Sequence, residues 1–343
     1  MKAIVAHAAK DLRLEDREIP KPAEGQDLIR MQAGGICGSD LHYYNHGGFG
    51  AVWLKEPMIL GHEVSGVIEN LSNDVTGLET GQRVAISPSR PCSACTYCHE
   101  GKQNHCLNMR FYGSAMPFPH IQGAFQQWLV VDAVQCAVAD GLSSGEAAMA
   151  EPLSVVLHAA KQAGALTGKR VLVTGCGPIG LLAVLVARAS GATEIVATDI
   201  TEFTLQTALK VGADLTHNVA KTPNALDQYA QNKGHFDVLF ECTGVAAVLA
   251  STISAMRPGA ILVQLGLGGD MTLPVQAMTA KELQFKGSFR FHSEFFEAVE
   301  LMQNGRLDVK PLITSTLPLT QMHDAFELAS NREKALKVQL NFK

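Results

Sequence analysis

The chain has 343 residues, of which 47% are hydrophobic and 18% charged, and its formal net charge is −5. This composition predicts a globular protein that is large enough for two domains. The slight acidity argues against nucleic acids and anionic membranes as partners. The N-terminal sequence MKAIVAHAAKDLRLED lacks the apolar core of a signal peptide, so we expect a cytoplasmic protein whose cysteines stay reduced.

Residues 1–150 consist of short β runs separated by glycine, proline, asparagine and aspartate. This pattern predicts an all-β region of barrel type. The runs are KAIVA, DLIRMQAGGI, VSGVIENL, QRVAIS, AFQQWLVV and CAVA.

Three residues of this first part, and a fourth at its boundary, carry side chains that suit a metal ion with an open coordination position. Thiolate, imidazole and carboxylate groups are the usual ligands of catalytic zinc. A single cysteine is also common as a small buried apolar group, and a single histidine is common in a core. The wide spacing of the four residues leaves both interpretations open. They are Cys37, His62, Glu63 and Glu151.

The strongest metal signal is a group of four cysteines in the polar loop PSRPCSACTYCHEGKQNHC. The spacing C-x2-C-x2-C-x7-C suits tetrahedral zinc, whose thiolate ligands lie about 2.3 Å from the ion. Two disulfides or ordinary buried thiols are the alternatives, but C-x2-C disulfides usually lie at strand–helix junctions, which this loop lacks. The loop therefore predicts a structural zinc without chemistry of its own, since a closed site has no open position. Its ligands would be Cys92, Cys95, Cys98 and Cys106.

Near Glu151 the pattern changes to alternating helices and strands, which predicts βαβ units and a parallel sheet. The first helix, PLSVVLHAAKQAGA, is predicted to end at Gly168 and Lys169. The sequence GCGPIG then follows the apolar strand RVLVT and opens a helix. In this context the glycines allow a tight turn and a close approach of backbone to pyrophosphate, and the helix N-terminus attracts the phosphates. The residues predicted to bind a dinucleotide there are Gly175, Gly177, Pro178, Ile179 and Gly180.

Asp199 ends the next strand, nineteen positions after Gly180. Its carboxylate is predicted to accept hydrogen bonds from the adenosine ribose and to repel a 2′-phosphate. The residues that follow, ITEFTL, include no arginine that would offset the repulsion. NAD is therefore predicted in preference to NADP, and Glu202 is the less favoured ribose ligand.

The last part contains the strand-like GSFRFHS, the helical EFFEAVELMQNG and the C-terminal strand KVQLNF, which is predicted to pack back on the first domain. We therefore predict a catalytic domain of residues 1–152 and 287–343 and a nucleotide-binding domain of residues 153–286. The cysteine lobe would occupy residues 88–110.

Several motifs, taken in their order along the chain, resemble the zinc-dependent medium-chain dehydrogenases. They are GHEVSG with the nearby GQRV, the four-cysteine lobe, AEPL and GCGPIG, and together they span nearly the whole chain. Within this family, glutamate instead of cysteine in the AEPL segment resembles the polyol (sorbitol) dehydrogenase branch. The resemblance implies an α/β fold with a GroES-like β-barrel-type catalytic domain and a Rossmann domain built on a doubly wound parallel sheet. It also implies two zinc ions per chain and hydride transfer between NAD and a secondary alcohol of a small polyol or sugar acid.

The resemblance also implies the ligands of the catalytic zinc. They would be Cys37, His62 and an acidic third ligand. In the polyol branch this ligand can be the glutamate of GHE, with the later glutamate touching the zinc-bound water or moving onto the metal. The choice between Glu63 and Glu151 stays open.

Ser39 and His42 lie three positions apart on a predicted helix and so share one face. By resemblance they form the proton relay, whereas a helix cap and a surface histidine are the alternative. Tyr43 resembles a substrate-contact position. Arg290 could pair with Glu151 in a structural ion pair, or it could bind the carboxylate of a sugar acid with its planar fork.

Three functions follow as hypotheses. The first is a zinc-dependent dehydrogenase of a sugar acid or polyol, the second a sorbitol-, xylitol- or threonine-dehydrogenase-like enzyme on the same scaffold, and the third a non-catalytic dinucleotide-binding sensor. Members of the family that this sequence resembles are commonly dimers or tetramers, so a homodimer or homotetramer is expected. Such subunits are joined through edge strands of the nucleotide-binding sheet, and the apolar runs AILVQLGLGG and TLPVQAM suit that role here.

Overall fold

The computed structural model describes residues 1–71 and 77–342. The predicted catalytic ranges also include residues 72–76 and Lys343, which lie outside the described residues. Among the described helices, none is long and apolar enough to cross a membrane.

The N-terminal half is built mainly from antiparallel strands. Buried and less buried residues alternate along β11 and most of β3, whereas β1 and β7 each contain four consecutive buried residues. One sheet joins β12, β8, β7 and β3, with β11 also on β3, and a second joins β2, β1 and β6. The described strands of this half are β1 (Lys2–Ala8), β2 (Asp11–Asp16), β3 (Gln26–Gly35), β4 (Gly48–Phe49), β5 (Val52–Trp53), β6 (Met58–Ile59), β7 (Glu63–Asn70), β8 (Arg83–Ile86), β9 (Ser89–Arg90), β10 (Arg110–Phe111), β11 (Trp128–Asp132) and β12 (Cys136–Val138).

In the described part of this half, four α-helices accompany the strands. The first follows β3 directly, the second lies inside the cysteine lobe, and the last leads into the second half of the chain. They are α1 (Gly38–His46), α2 (Thr96–His99), α3 (Ser144–Ala148) and α4 (Ala150–Ala163).

The second half is a six-stranded parallel sheet with strand order β15-β14-β13-β16-β17-β18. In such doubly wound sheets, ligands bind beyond the carboxyl ends of the strands, where the strand order reverses beside β13. The strands are β13 (Arg170–Thr174), β14 (Glu194–Asp199), β15 (Leu215–Asn218), β16 (Phe236–Glu241), β17 (Met256–Gln264) and β18 (Gln284–Gly287). The helices between them are α5 (Pro178–Ala189), α6 (Glu202–Lys210), α7 (Ala246–Thr252) and α8 (Val275–Ala280).

After the parallel sheet the chain returns to the first sheet. The returning elements are α9 (Glu294–Gln303), β19 (Ile313–Pro318), α10 (Met322–Ser330) and β20 (Lys337–Asn341). Strand β20 pairs with β3 in antiparallel fashion, with Leu340 opposite Gly34. Because β18 ends the parallel sheet at Gly287, we propose residues 1–152 and 287–343 as one domain and residues 153–286 as the other.

Two local predictions were wrong. The helix predicted to end at Gly168 ends at Ala163, because Gly164 leaves the helical region with φ 80° and ψ −155°. The segment GSFRF is not a strand, since β18 stops at Gly287 and Arg290 has a φ of 54°. This left-handed conformation is uncommon for residues other than glycine and breaks an extended run.

The apolar run AILVQLGLGG does not form the edge of the parallel sheet. Its strand, β17, has β16 on one side and β18 on the other, so its apolar side chains are explained by burial inside the sheet. The edge on this side is β18, whose Phe285 is 44% exposed.

Candidate active site

Three of the predicted metal ligands meet at one end of the first sheet. The ligand atoms of Cys37, His62 and Glu63 all lie within 4.8 Å of one another. The strand register explains this meeting, because β3 and β7 pair with Gly35 opposite Glu63. Burial and the charge of Glu63 raise the pKa of the Cys37 thiol to about 12, a shift that a bound metal cation reverses. Thiolate, imidazole and carboxylate at this separation fit zinc with an open position.

Asp40 holds the two ligand-bearing segments together. It is fully buried, and its carboxylate oxygens accept hydrogen bonds from the backbone N–H groups of Cys37 and Gly61, each at 3.0 Å. Nδ1 of His62 lies 3.9 Å from Oδ1 of Asp40 and makes no hydrogen bond to any described residue. A buried imidazole with an unsatisfied nitrogen is costly unless the site takes up a further partner, as a metal centre does.

Lys337 and Glu151 complete the buried surroundings. Nζ of Lys337 donates to both carboxylate oxygens of Glu63, at 2.7 and 2.6 Å. Glu151 is buried in the first turn of α4, and among the described residues it stands outside the close group of ligand atoms. Burial raises the pKa of Glu151 to about 8, although the charge of His62 opposes the shift. This arrangement favours Glu63 over Glu151 as the third ligand.

The cysteine lobe lies between β9 and β10 and contains four free thiols whose sulfur atoms lie within 4.8 Å of one another. Sγ of Cys95 lies 3.6 Å from Sγ of Cys98 and 4.0 Å from that of Cys106. Tetrahedral zinc with bonds of about 2.3 Å places its sulfur ligands about 3.8 Å apart. A hydrogen bond from the backbone of Ala94 is the main reason that the pKa of Cys92 falls to about 6. The lobe therefore fits a closed zinc site.

The glycine motif forms the turn between β13 and α5. Gly175 has a φ of 82°, and a Cβ on Gly180 would lie 1.7 Å from the carbonyl oxygen of Gly175, so neither position tolerates a side chain. Asp199, at the end of β14, accepts a hydrogen bond of 2.6 Å from the backbone of Cys176 and two more from the N–H groups that follow it. The carboxylate therefore lies at the glycine turn, where a dinucleotide ribose binds in this type of fold.

A cationic side chain reaches this turn from the other sheet. Gly177 precedes α5, Pro178 is its first residue, and Ile179 packs against the core. Arg332 follows α10 and is exposed, and its Nη1 lies 2.6 Å from the position that a Cβ on Gly177 would take. A guanidinium at the N-terminus of a helix is well placed to meet a phosphate group.

The predicted proton-relay residues lie on α1. Ser39 and His42 are both on this helix, and His42 is exposed. Partial burial lowers the pKa of His42, and nearby positive charges, including that of Arg332, lower it further. Tyr43 is only 2% exposed, and its hydroxyl oxygen accepts a hydrogen bond of 3.1 Å from the backbone of Ala115. The Tyr43 hydroxyl proton therefore stays available for a ligand.

Arg290 lies between two aromatic rings. Its Cζ is 4.6 Å from the ring centre of Phe111 and 4.9 Å from that of Phe289, and Nη2 donates to Sδ of Met116 at 3.2 Å. Burial lowers the pKa of Arg290, and the charge of Glu151 opposes this shift. An ion pair with Glu151 is one of the two roles considered for Arg290. It does not form among the described residues, so no carboxylate is in direct contact with the guanidinium there.

Three residues of this site were missed from the sequence. Asp40 lies three positions after Cys37, a spacing that suits a carboxylate bonded back to a helix start. Lys337 is a cation inside an apolar strand, which is an unusual position and a usable signal. Arg332 stands in a polar turn, and nothing in its local sequence distinguishes it.

Two family models match the chain. The alcohol dehydrogenase GroES-like domain matches residues 23–141, and the zinc-binding dehydrogenase model matches residues 178–304. The second range includes the start of α5 and the whole parallel sheet after β13.

Relatives and solved structures give the same result over nearly the full length. L-idonate 5-dehydrogenase (NAD(P)(+)) of Escherichia coli K12 is 42% identical over 317 residues, covering 92% of this chain and 91% of the relative. Human sorbitol dehydrogenase is 37% identical over 330 residues, covering 95% and 91%. The crystal structure of L-idonate 5-dehydrogenase from Escherichia coli K-12 superposes with a TM-score of 0.95 at 40% identity, covering 99% of this chain and 98% of that one. With its GroES-like domain, parallel nucleotide-binding sheet and metal-binding side chains, this chain belongs to the family of zinc-binding alcohol dehydrogenases.

Proposed function

We propose that this zinc- and NAD(P)-dependent dehydrogenase interconverts L-idonate and 5-keto-D-gluconate. The observation that carries the proposal is Arg290, a guanidinium beside the site that has no carboxylate partner among the described residues. The carboxylate of a sugar acid can accept two parallel hydrogen bonds from this guanidinium, whereas a neutral polyol has no carboxylate. The 42% identity to an L-idonate 5-dehydrogenase supports the same substrate. So does the resemblance of MRFYGSAMPFPH, KGSFRFHSEF and KVQLNF to that enzyme.

In the proposed mechanism, each site residue has one task. Cys37, His62 and Glu63 bind the metal, and Asp40 keeps the segments of Cys37 and His62 in register. When bound, zinc supplies Lewis-acid polarisation of the substrate oxygen and NAD accepts hydride. Lys337 donates hydrogen bonds to the same carboxylate of Glu63 that would bind the metal, and its positive charge limits the negative charge at the site.

The proton path follows α1. Ser39 receives the proton of the substrate hydroxyl and passes it towards His42 on the same face of the helix. His42 is exposed and can release the proton to water. Tyr43 and Arg290 orient the substrate.

A substrate screen tests the proposal. We expect the highest kcat/KM for L-idonate in one direction and 5-keto-D-gluconate in the other, with sorbitol, xylitol and L-threonine far behind. The variant Arg290→Gln should lower kcat/KM for L-idonate about 100-fold, because a charge-assisted bidentate contact is lost. Arg110→Gln, at an exposed position of β10, is the matched control and should behave like the wild type. A preference for sorbitol or xylitol that Arg290→Gln leaves unchanged would reject L-idonate as the substrate.

A polyol dehydrogenase of the sorbitol or xylitol type is the second candidate. Glu151 is buried beside the proposed zinc site, and its carboxyl group can form hydrogen bonds with a polyhydroxylated substrate. The identity of 37% to human sorbitol dehydrogenase supports this candidate. The same substrate screen distinguishes it from the first.

We infer a preference for NAD over NADP. Asp199 faces the glycine turn, and Lys221, a cation near the start of α6, already pairs with Glu202 at 2.7 Å. A 2′-phosphate would therefore meet the carboxylate of Asp199, while Lys221 is already paired with Glu202. The test is the ratio of kcat/KM for the two cofactors, which Asp199→Ala should shift towards NADP. A wild-type preference for NADP would contradict the inference.

We also infer a homodimer or homotetramer joined through β18. This strand is the open edge of the parallel sheet in the described chain, and its exposed Phe285 would be covered by a second copy. Light scattering on the wild type and on Phe285→Glu tests the inference. A monomeric wild type would contradict it.

A further inference from the structure

The segment that carries Arg290 has little support from its own backbone. Residues 288–293 form neither strand nor helix. Arg290 itself has a φ of 54°, in the left-handed region that residues other than glycine seldom adopt. Such a conformation persists only where the surrounding structure enforces it, so the contacts that hold the segment decide where the guanidinium points.

The cysteine lobe holds this segment through two consecutive residues. Nδ2 of Asn104, which is buried, donates a hydrogen bond of 3.0 Å to the carbonyl oxygen of Phe289. The imidazole of His105 stacks on the ring of Phe289, with 5.9 Å between the ring centres and 27° between the planes. Both residues directly precede Cys106, one of the four clustered thiols. The two contacts with Phe289 and one ligand of the lobe's metal site therefore come from the same turn.

The other end of the lobe covers Arg290 itself. Phe111 lies in β10, which pairs with β9 and closes the lobe. Its ring is 4.6 Å from Cζ of Arg290, and its centre is 5.6 Å from that of the His62 imidazole. The lobe thus contacts both the guanidinium and an imidazole of the proposed catalytic metal site.

We propose that Asn104 and His105 are positioning residues, which hold Phe289 so that the guanidinium of Arg290 is aimed at the carboxylate of the substrate. The inference rests on the proposed function, in which Arg290 receives that carboxylate. The closed metal site of the lobe takes no part in the chemistry. It shapes the turn that carries Asn104 and His105, and so it contributes to substrate selection.

Steady-state kinetics with saturating NAD test the inference. In Asn104→Ala and in His105→Ala, KM for L-idonate should rise about tenfold, because a displaced guanidinium loses its bidentate geometry. The turnover number and KM for xylitol should stay within twofold of the wild type, and the zinc content should stay at two ions per chain. His99→Ala changes an exposed histidine of the same lobe and should match the wild type.

A double-variant cycle makes the test specific. In the Arg290→Gln background, Asn104→Ala should cause no further rise of KM for L-idonate, since the group it positions is gone. An equal rise of KM for both substrates, or a loss of zinc in proportion to activity, would overturn the inference in favour of a purely structural role. If Arg290→Gln raises KM for L-idonate and Asn104→Ala does not, the positioning role is refuted while the proposed function stands. If Arg290→Gln itself has no effect, the proposed role of Arg290 fails and the inference fails with it.

Discussion

Asp40 connects two ligand-bearing segments that lie far apart in sequence. Its carboxylate oxygens bond the backbone of Cys37 and of Gly61, so the thiol and the neighbouring imidazole of His62 keep a fixed separation. Preorganised ligands cost little to assemble when the metal binds. Cys37 is therefore the residue at which the metal site can be tested most directly.

Replacing Cys37 by alanine should abolish turnover and reduce the zinc content from two ions per chain to one. The thiolate is a ligand of the proposed catalytic zinc, while the cysteine lobe keeps its own four sulfurs. Cys136→Ala, which changes a buried thiol of β12 outside both groups, is the control and should keep both ions. Metal analysis and steady-state rates give the answer, and an active Cys37→Ala enzyme would contradict the assignment.

The cysteines of the lobe were easier to predict as metal ligands than Cys37 and His62, for a physical reason. The cysteines of the lobe lie close in sequence, so their spacing alone indicated a metal site. Cys37 and His62 are brought together by the register of β3 and β7, which local sequence does not encode. The resemblance to a family supplied that information. Arg332 was missed because it reaches the site from the far end of the chain and has no local signal. The position of Lys337 in an apolar strand was a usable signal, but its partner Glu63 is set by tertiary structure.

At the scale of secondary structure, the first turn of α9 illustrates how charge stabilises a helix start. Oε1 of Glu294 lies 3.2 Å from Nδ1 of His158 and 3.2 Å from Nζ of Lys161, both on α4. Although burial opposes ionisation, the hydrogen bonds from His158 and from the backbone of His292 hold the pKa of Glu294 well below its usual range. The carboxylate thus joins α4, which carries Glu151, to α9.

Glu294→Gln should lower the free energy of unfolding at pH 7 by about 1–2 kcal/mol, because a charge-assisted hydrogen bond between two helices is lost. The native pKa lies below the unfolded value, so the wild type loses this advantage as the pH falls below about 5. Urea unfolding between about pH 2.5 and pH 7 should show the difference in the free energy of unfolding between the wild type and Glu294→Gln becoming smaller as the pH falls, mostly below about pH 4. Glu297→Gln removes a more exposed partner of Lys161 and should cost less than about 0.5 kcal/mol. A gap that does not change with pH would contradict the explanation.

The elements themselves were largely predictable from periodicity. The alternation of apolar strands and helices after Glu151 predicted the parallel sheet, and the sheet has that form. The errors arose where tertiary contacts decide the backbone. The segment around Arg290 has a strand-like composition, yet the cysteine lobe holds Phe289 and the backbone turns at Arg290. The edge strand was also misplaced, since burial makes inner strands more apolar than the edge.

On the scale of the whole molecule, the two sheets meet at the nucleotide site. Glu327 accepts a hydrogen bond of 2.7 Å from the hydroxyl of Tyr44, so α10 is fastened to α1. Arg332 follows α10 and extends to Gly177 at the start of α5. A bound dinucleotide would therefore contact both halves of the chain at this point.

Arg332→Gln should weaken the binding of NADH and of ADP-ribose about tenfold, because a cation that faces the pyrophosphate is removed. Binding of adenosine, which has no phosphate, should not change. Fluorescence and calorimetric titrations measure these affinities directly. Lys334→Gln, at an exposed position two residues further on, is the control. An unchanged affinity for ADP-ribose would show that Arg332 does not contact the phosphates.

The pairing of β20 with β3 has a consequence for the order of folding. Strand β3 leads into Cys37, yet its neighbour in the sheet, and the Lys337 that bonds Glu63, come from the last residues of the chain. During synthesis the parallel sheet can form as soon as β18 has emerged, because its strands are contiguous in sequence. The surroundings of the metal site are complete only after the C-terminal strand has been synthesised. This protein should therefore acquire its nucleotide-binding unit before it can hold a catalytic ion, and a ribosome-bound chain should lack activity until release.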